Sequence, residues 1–125
     1  MPVASYRLFI RKLSMVMRRP PAHIGVTFVT DQQIRRLNRR YRRKDRATDV
    51  LAFPQSHGRA LGDIVISVPT ARRQATGPKM IDLHRECRRL LIHGYLHLLG
   101  YDHERSTRDA RRMHRVEQRL ARQLV

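Results

Sequence analysis

The sequence predicts an α+β fold, in which a small mixed sheet of three to four strands packs in two layers with four to five helices. Helical apolar periodicity recurs in several separate segments, and short runs with strand periodicity lie between them. No repeat or long linker divides the 125 residues. We therefore expect residues 1–125 to form a single domain with one modest core.

The first half of the chain alternates helix, strand and helix. Apolar residues recur at helical spacing over 8–17, and the prolines at 20–21 end that helix. Alternating apolar and small residues predict a strand over 24–29. A Thr-x-x-Gln pair that resembles a capping box then opens a second helix at residue 30, with one apolar face.

The second half begins with strands and ends with helices. Residues 49–54 form a short strand closed by proline, and 61–68 form a second, mostly apolar strand. A proline opens a short helix at residue 69, and Gly-Pro ends it. A long helix runs from about 80 to 99, and a final helix starts near 106 behind a serine cap.

Positive charge is the strongest compositional feature. Lys and Arg number 27 against 10 Asp and Glu, so the net charge is +17 and the isoelectric point is near 11.7. Eight of the twelve residues from 35 to 46 are basic, and six arginines cover the last helix. This excess predicts a polyanionic partner, with nucleic acid first and a membrane surface second. The basic helices lack the aromatic anchors of a membrane-surface helix, so we expect no membrane partner.

Cysteine content and the N-terminal segment bear on location. Cys87 is alone, which excludes a disulfide framework and fits a reducing compartment. The apolar run 8–10 is followed at once by Arg11 and Lys12, so neither a secretory nor a membrane-spanning segment is predicted. We expect a cytoplasmic protein. Residues 1–30 contain no acid and several arginines, which also suits a mitochondrial transit peptide, but the helical stripe favours a folded first helix.

Three histidines near residue 100 have the spacing of a metal site. His93 and His97 are four residues apart, so on a helix they project from one face, one turn apart. Gly100 permits a sharp turn that returns His103 as a third imidazole. Three neutral nitrogens leave a tetrahedral zinc ion with one open position, which is typical of a catalytic site. The pattern predicts a hydrolytic centre with one zinc ion.

The same stretch is similar to the long zincin motif, H-E-x-x-H-x-x-G-x-x-H. Every histidine and the glycine are in register, but Gly94 stands where the motif has glutamate. That glutamate is the general base of the peptidases. The substitution keeps the metal-binding frame and disfavours a zinc peptidase, unless another base replaces the glutamate.

The sequence gives less support to a functional role for the other candidate residues. His84 lies about 180° round the helix from His93 and cannot share its face. Cys87 is expected to be a buried, inert thiol. Asp102 has two open roles, to orient an imidazole or to cap the turn. Two further histidines are His114, which is expected to be packed or solvated, and His57, in a loop that either approaches the metal or faces water.

Three motifs together resemble a known family. Residues 37–54, 61–67 and 93–104 are similar, in the same order, to the YbeY family of bacterial and organellar endoribonucleases. The resemblance implies a metal-dependent, single-strand-specific endoribonuclease. It also implies action in ribosomal RNA maturation, especially at the 3′ end of the small-subunit RNA, and in ribosome quality control. In that family the three motif histidines bind zinc, and these correspond to His93, His97 and His103.

The resemblance also implies a functional arginine, which falls on Arg42. Two departures from the family are visible: Ala52 stands where serine is usual before Phe-Pro, and the N-terminus is shorter than in members that have an extra first strand. We expect RNA and the small ribosomal subunit as partners. Two alternatives stay open, a non-catalytic zinc-containing ribosome-assembly factor and, with less support, a zinc peptidase.

Overall fold

A computed structural model describes residues 3–55 and 58–125. Over these residues it contains five helices and three strands, within the numbers that the sequence predicts. In chain order they are α1 (Val3–Val16), β1 (His23–Val29), α2 (Asp31–Arg42), β2 (Val50–Pro54), β3 (Ala60–Ser67), α3 (Val68–Gln74), α4 (Met80–Leu98) and α5 (Thr107–Leu124). None of these helices has the length and apolar character needed to cross a bilayer.

The three strands form one mixed sheet in the order β1-β3-β2. The central strand β3 pairs in parallel with β1 and antiparallel with β2. Strand β2 is therefore an edge strand, and the first backbone N–H on its open side is satisfied locally, since Val50 N donates to Asp49 Oδ1 at 2.8 Å. The edge of β2 borders the cleft described below.

Helices cover both faces of the sheet, so the expected two-layer arrangement is wrong. Ile64 and Ile66 of β3 are fully buried on the side of α4, while Val65 between them packs with Ile34 of α2. The sheet is thus the middle of three layers. The physical reason is visible in the sequence, because an uninterrupted apolar run in a central strand indicates burial on both faces rather than on one.

Helix α4 is the central element of the larger core. Nine of its nineteen residues are buried, because the sheet packs on one side and α1 and α5 pack on the other. The helix ends where the sequence predicts, at a turn in which Gly100 has a φ of 98°. A side chain on this helix is held by a packed scaffold rather than by a loop.

The predicted helix starts are confirmed by their hydrogen bonds. Gln33 N donates to Thr30 Oγ1 at 3.2 Å and Thr30 N donates to Gln33 Oε1 at 2.9 Å, which is a complete capping box for α2. Asp109 N donates to Ser106 Oγ at 3.1 Å at the start of α5. Local hydrogen bonding therefore sets both boundaries.

Asp31 ties the start of α2 to the end of β3 and to α3. Its Oδ1 accepts hydrogen bonds of 2.6 Å from Ser67 Oγ and from Thr70 Oγ1. Its Oδ2 accepts one of 2.8 Å from Arg73 Nη2. The hydrogen bonds from Ser67, Thr70 and Arg73 lower the pKa of Asp31 to about 2. One carboxylate thus fastens three elements together.

We predict that Asp31→Asn lowers the free energy of unfolding by roughly 1 kcal/mol at neutral pH, a modest value because the side chain is about one-third exposed. The folded-state pKa lies below the ordinary value of 3.8, so this contribution is present above pH 4 and disappears as the pH falls towards 2. Urea denaturation at pH 7 and pH 2.5 measures it. A difference between wild type and variant that stays constant down to pH 2 would contradict the assignment.

Candidate metal centre

The three histidines of the motif converge in the structure. His93 Nε2 and His97 Nε2 are 3.1 Å apart, and His103 Nδ1 lies 3.1 Å from His97 Nε2. The first two project from one face of α4, and His103 returns after the turn at Gly100. Three imidazole nitrogens, each on a different ring, therefore face a common point within 4.8 Å of one another.

The chemistry of this donor set fits a zinc ion. Ligands of a tetrahedral zinc at 2.0–2.1 Å lie roughly 3.3 Å from one another, close to the observed separations. Burial lowers the pKa of His97, and the neighbouring His93 and His103 lower it further, which favours the neutral form that a metal requires. No further His, Cys, Asp or Glu from residues 3–55 and 58–125 joins the cluster. A tetrahedral ion held here would keep one open position.

Two carboxylates stand behind the imidazoles. Glu117 Oε1 lies 2.7 Å from His93 Nδ1, and Glu104 Oε1 lies 3.7 Å from His103 Nε2. Sequence reasoning missed Glu117. The signal for it was present, because Glu117 occupies the apolar stripe of the last helix, between Met113 and Leu120, where an acid is out of place.

The imidazoles open into a cleft between α4, the edge of β2 and the end of α2. Arg42, the last residue of α2, lines this cleft together with Lys44. Arg43 adopts a left-handed conformation with φ of 58°, which turns the chain along the cleft. The buried Asn38 holds that turn, since its Nδ2 donates to Arg46 O at 2.9 Å. Arg42 thus reaches the same cavity as the histidines.

Glu104 lies between the cations of the cleft. Its Oε2 is 3.6 Å from Arg42 Nη2 and its Oε1 is 3.8 Å from Lys44 Nζ. These separations exceed hydrogen-bond length, and about half of the Glu104 side chain is exposed, so the pairs are weak. The carboxylate marks a position at which the positive charges of Arg42 and Lys44 favour an anion.

The role of Asp102 is resolved between the two that the sequence leaves open. Asp102 Oδ1 accepts a hydrogen bond of 2.8 Å from Glu104 N. This bond lowers the pKa of Asp102, which keeps the carboxylate ionised. Asp102 therefore caps the turn that carries His103, and no hydrogen bond joins it to an imidazole in the part of the chain that the structure describes.

The other candidates lie away from the cluster. His84 bonds through Nδ1 to the hydroxyl of Tyr6, on the far side of α4 as the helix geometry predicts. Cys87 is fully buried, and burial raises the pKa of its thiol, so it is an inert core residue. His114 is exposed on α5. His57 lies outside the described residues.

Close packing at Gly94 explains why the zincin glutamate is absent. Gly94 lies on α4 directly against Ile64 of β3, and a Cβ atom added to it would be 2.8 Å from Ile64 Cγ2. Ile64 is fully buried, so a side chain at 94 would require Ile64 or the helix to shift. A glutamate, which is much larger than a methyl group, does not fit here without displacing them, and this disfavours the general base of a zinc peptidase at position 94.

The fold and the site define a small α+β protein with a three-histidine cluster in a cationic cleft. The family model described as Endoribonuclease YbeY matches residues 6–125, so the chain belongs to the YbeY family. The Endoribonuclease YbeY of Anaeromyxobacter sp. (strain Fw109-5) is 53% identical over 108 residues, which cover 83% of this chain and 55% of that protein. The Endoribonuclease YbeY of Myxococcus xanthus is 50% identical over 104 residues, covering 78% of this chain and 35% of its own length.

A solved structure resembles the whole fold. The solution structure of a Thermotoga maritima protein superposes with a TM-score of 0.63 at 26% identity and covers 98% of this chain and 83% of that one. The chain spans about half of the length of its relative from Anaeromyxobacter sp. (strain Fw109-5).

We predict that Gly94→Ala destabilises the protein by roughly 1–2 kcal/mol, because overpacking against Ile64 outweighs the gain in helix propensity of about 1 kcal/mol. Urea denaturation of Gly94→Ala, Ile64→Ala and the double variant measures the coupling. The added methyl group should cost much less once the Ile64 side chain is removed. Strictly additive effects would show that the two residues do not press on each other.

Proposed function

We propose that this chain is a zinc-dependent, single-strand-specific endoribonuclease that acts in ribosomal RNA maturation, at the 3′ end of the small-subunit RNA, and in ribosome quality control. The observation that carries the proposal is the convergence of three imidazole nitrogens in the cleft that Arg42 and Lys44 line. Membership of a family described as Endoribonuclease YbeY supports an RNA substrate. Residues 1–125 act as one catalytic domain in this proposal.

One zinc ion would be held by His93 Nε2, His97 Nε2 and His103 Nδ1. When bound there, zinc supplies a Lewis acid for a phosphoryl oxygen and lowers the pKa of a coordinated water. The protein contributes the neutral state of His97, through burial, and the fixed spacing of His93 and His97 on a packed helix.

Arg42 would hold the scissile phosphate. Its guanidinium remains charged at every relevant pH and offers two parallel donors to phosphate oxygens, which stabilises charge that develops in the transition state. Lys44 adds a second positive charge on the same side of the cleft. An incoming phosphate replaces the Glu104 carboxylate between these cations at little cost, because the existing ion pairs are long and exposed.

The surface charge supports a long polyanionic substrate. Seven of the 27 basic side chains pair with a carboxylate in the described part of the chain, and the remainder repel one another unless phosphates approach them. The basic segment 35–46 and the arginine face of α5 would hold the RNA backbone. His93 is only 27% exposed, so the scissile phosphate has to enter below the surface, which favours a single strand.

The proposed partner and location follow from the proposed substrate. The small ribosomal subunit is the expected partner, because it presents the RNA that such an enzyme would trim. The cytoplasm is the expected location, in keeping with a lone cysteine that is buried and reduced. A ribosome-assembly factor with a purely structural zinc shares the charge evidence, but three nitrogen donors leave an open coordination position that a structural site lacks.

We predict that protein purified without added metal retains about one zinc per chain, and that His97→Ala retains much less. His114→Ala is the matched control, because His114 is an exposed histidine away from the cluster, and it should keep its metal. Elemental analysis measures the stoichiometry. Less than about half an equivalent in the wild type would count against a three-histidine site. In the cobalt-substituted protein, added phosphate should perturb the visible spectrum if a coordination position is open.

We predict that zinc-loaded protein cleaves single-stranded ribosomal RNA, and that Arg42→Ala and His97→Ala each lower the cleavage rate at least 100-fold while remaining folded. Arg7→Ala removes the same charge from the exposed face of α1 and should cleave within about twofold of wild type. Mapping of the RNA ends measures both site and chemistry. A 2′,3′-cyclic phosphate identifies the 2′-hydroxyl as nucleophile, and a 5′-phosphate identifies water. If both variants cleave like wild type, the activity belongs to a contaminating ribonuclease.

A further inference from the structure

We infer that Glu117 is a positioning residue of the metal centre, which orients His93 and raises its affinity for the metal. The inference rests on the proposed zinc site and goes beyond it, because it assigns to α5 a part in building that site. The geometry is direct: Glu117 Oε1 lies 2.7 Å from His93 Nδ1, and the opposite nitrogen of the same ring, Nε2, faces His97.

The tautomer of His93 follows from these contacts. A histidine that binds a metal through Nε2 is neutral and carries its proton on Nδ1. Over the described residues the acceptor for that proton is the Glu117 carboxylate, so the N–H of His93 donates to Oε1 and the ring is fixed in rotation. The charge of the acceptor makes Nε2 more electron-rich, which strengthens its bond to a cation.

The position of Glu117 on α5 argues against a purely structural role. It lies on the apolar side of the helix, one turn from the fully buried Met113 and three residues from the fully buried Leu120. The Glu117 side chain is only 28% exposed, and an apolar residue at this position would extend the packing of the stripe against α4. Side-chain packing alone therefore does not account for the acid.

Pairing with the arginines of α5 does not explain the presence of Glu117 either. Six arginines lie on this helix, but the positions three and four residues from Glu117 hold Met113, His114, Leu120 and Ala121. Over the residues that the structure describes, the one ion pair of Glu117 is with His93. The other acid of α5, Asp109, instead pairs with Arg105 at 2.9 Å and touches no histidine. The Glu117 carboxylate is thus directed to the metal centre alone.

The test compares the zinc affinity of Glu117→Leu and Glu117→Gln with that of the wild type, by competition with a chromophoric chelator. Leucine continues the apolar stripe and removes the acceptor, so zinc should bind ten- to 100-fold more weakly. Glutamine keeps an acceptor oxygen without the charge, so Glu117→Gln should lose less zinc affinity than Glu117→Leu. The metal-free Glu117→Leu protein should melt no lower than the metal-free wild type, which a structural ion pair would not allow.

Asp109→Asn is the matched control, because it neutralises the other acid of α5, and it should bind zinc as the wild type does. Long-range proton–nitrogen NMR supplies an independent readout, since a protonated Nδ1 on His93 should be observed in the zinc-bound wild type and lost to exchange in Glu117→Leu. A Glu117→Leu protein with wild-type zinc affinity and the same His93 signal would overturn the inference and leave the proposed ribonuclease intact. If the zinc affinity depends on Glu117 but the wild-type protein does not cleave RNA, the proposed ribonuclease activity is overturned and the role of Glu117 stands.

Discussion

The contact between α4 and β3 is the constraint on which the rest of this structure depends. Gly94 lets the helix approach the sheet so closely that a single methyl group would collide with Ile64. Because the helix is buried on this side by the sheet and on the other by α1 and α5, His93 and His97 have a fixed direction at the one face that remains open. The geometry of the metal centre is therefore a consequence of core packing.

The few acidic residues of the chain lie at positions that define its structure. The chain has ten acidic residues against 27 basic ones, and several of these acids hold a specific structural position. Asp31 joins three elements, Asp102 caps the turn of His103, and Glu117 faces His93. Over residues 3–55 and 58–125, most of the arginines have no ion pair with a carboxylate, and their mutual repulsion is unfavourable for the isolated chain. This excess of positive charge supports the proposed polyanionic substrate.

Much of the site could be predicted from sequence, because its determinants are local. The spacing of His93 and His97, and a glycine that permits the turn to His103, require no knowledge of tertiary structure. The two helix caps were predictable for the same reason. The three-layer arrangement and the role of Glu117 were missed, because their signals in the sequence can be interpreted only with contacts between distant segments. The two-layer expectation treated the apolar run of β3 as one-sided, and the acid in the stripe of α5 has meaning only once α5 packs beside His93.

The packing at Gly94 also limits which side chains could act as a general base at the candidate metal centre. In the zincin motif one helix supplies both the ligands and the general base, which requires space for a glutamate one residue after the first histidine. Here Ile64 of the sheet occupies that space, so α4 offers the candidate ligands His93 and His97 but no base at position 94. Arg42 and Lys44 line this cleft together with the carboxylates of Asp49 and Glu104. The two cations suit the negative charge of a phosphodiester better than a neutral peptide bond. The packing at Gly94 thus removes the helix-borne base of the peptidases and, together with the cations of the cleft, supports the proposed phosphodiester substrate.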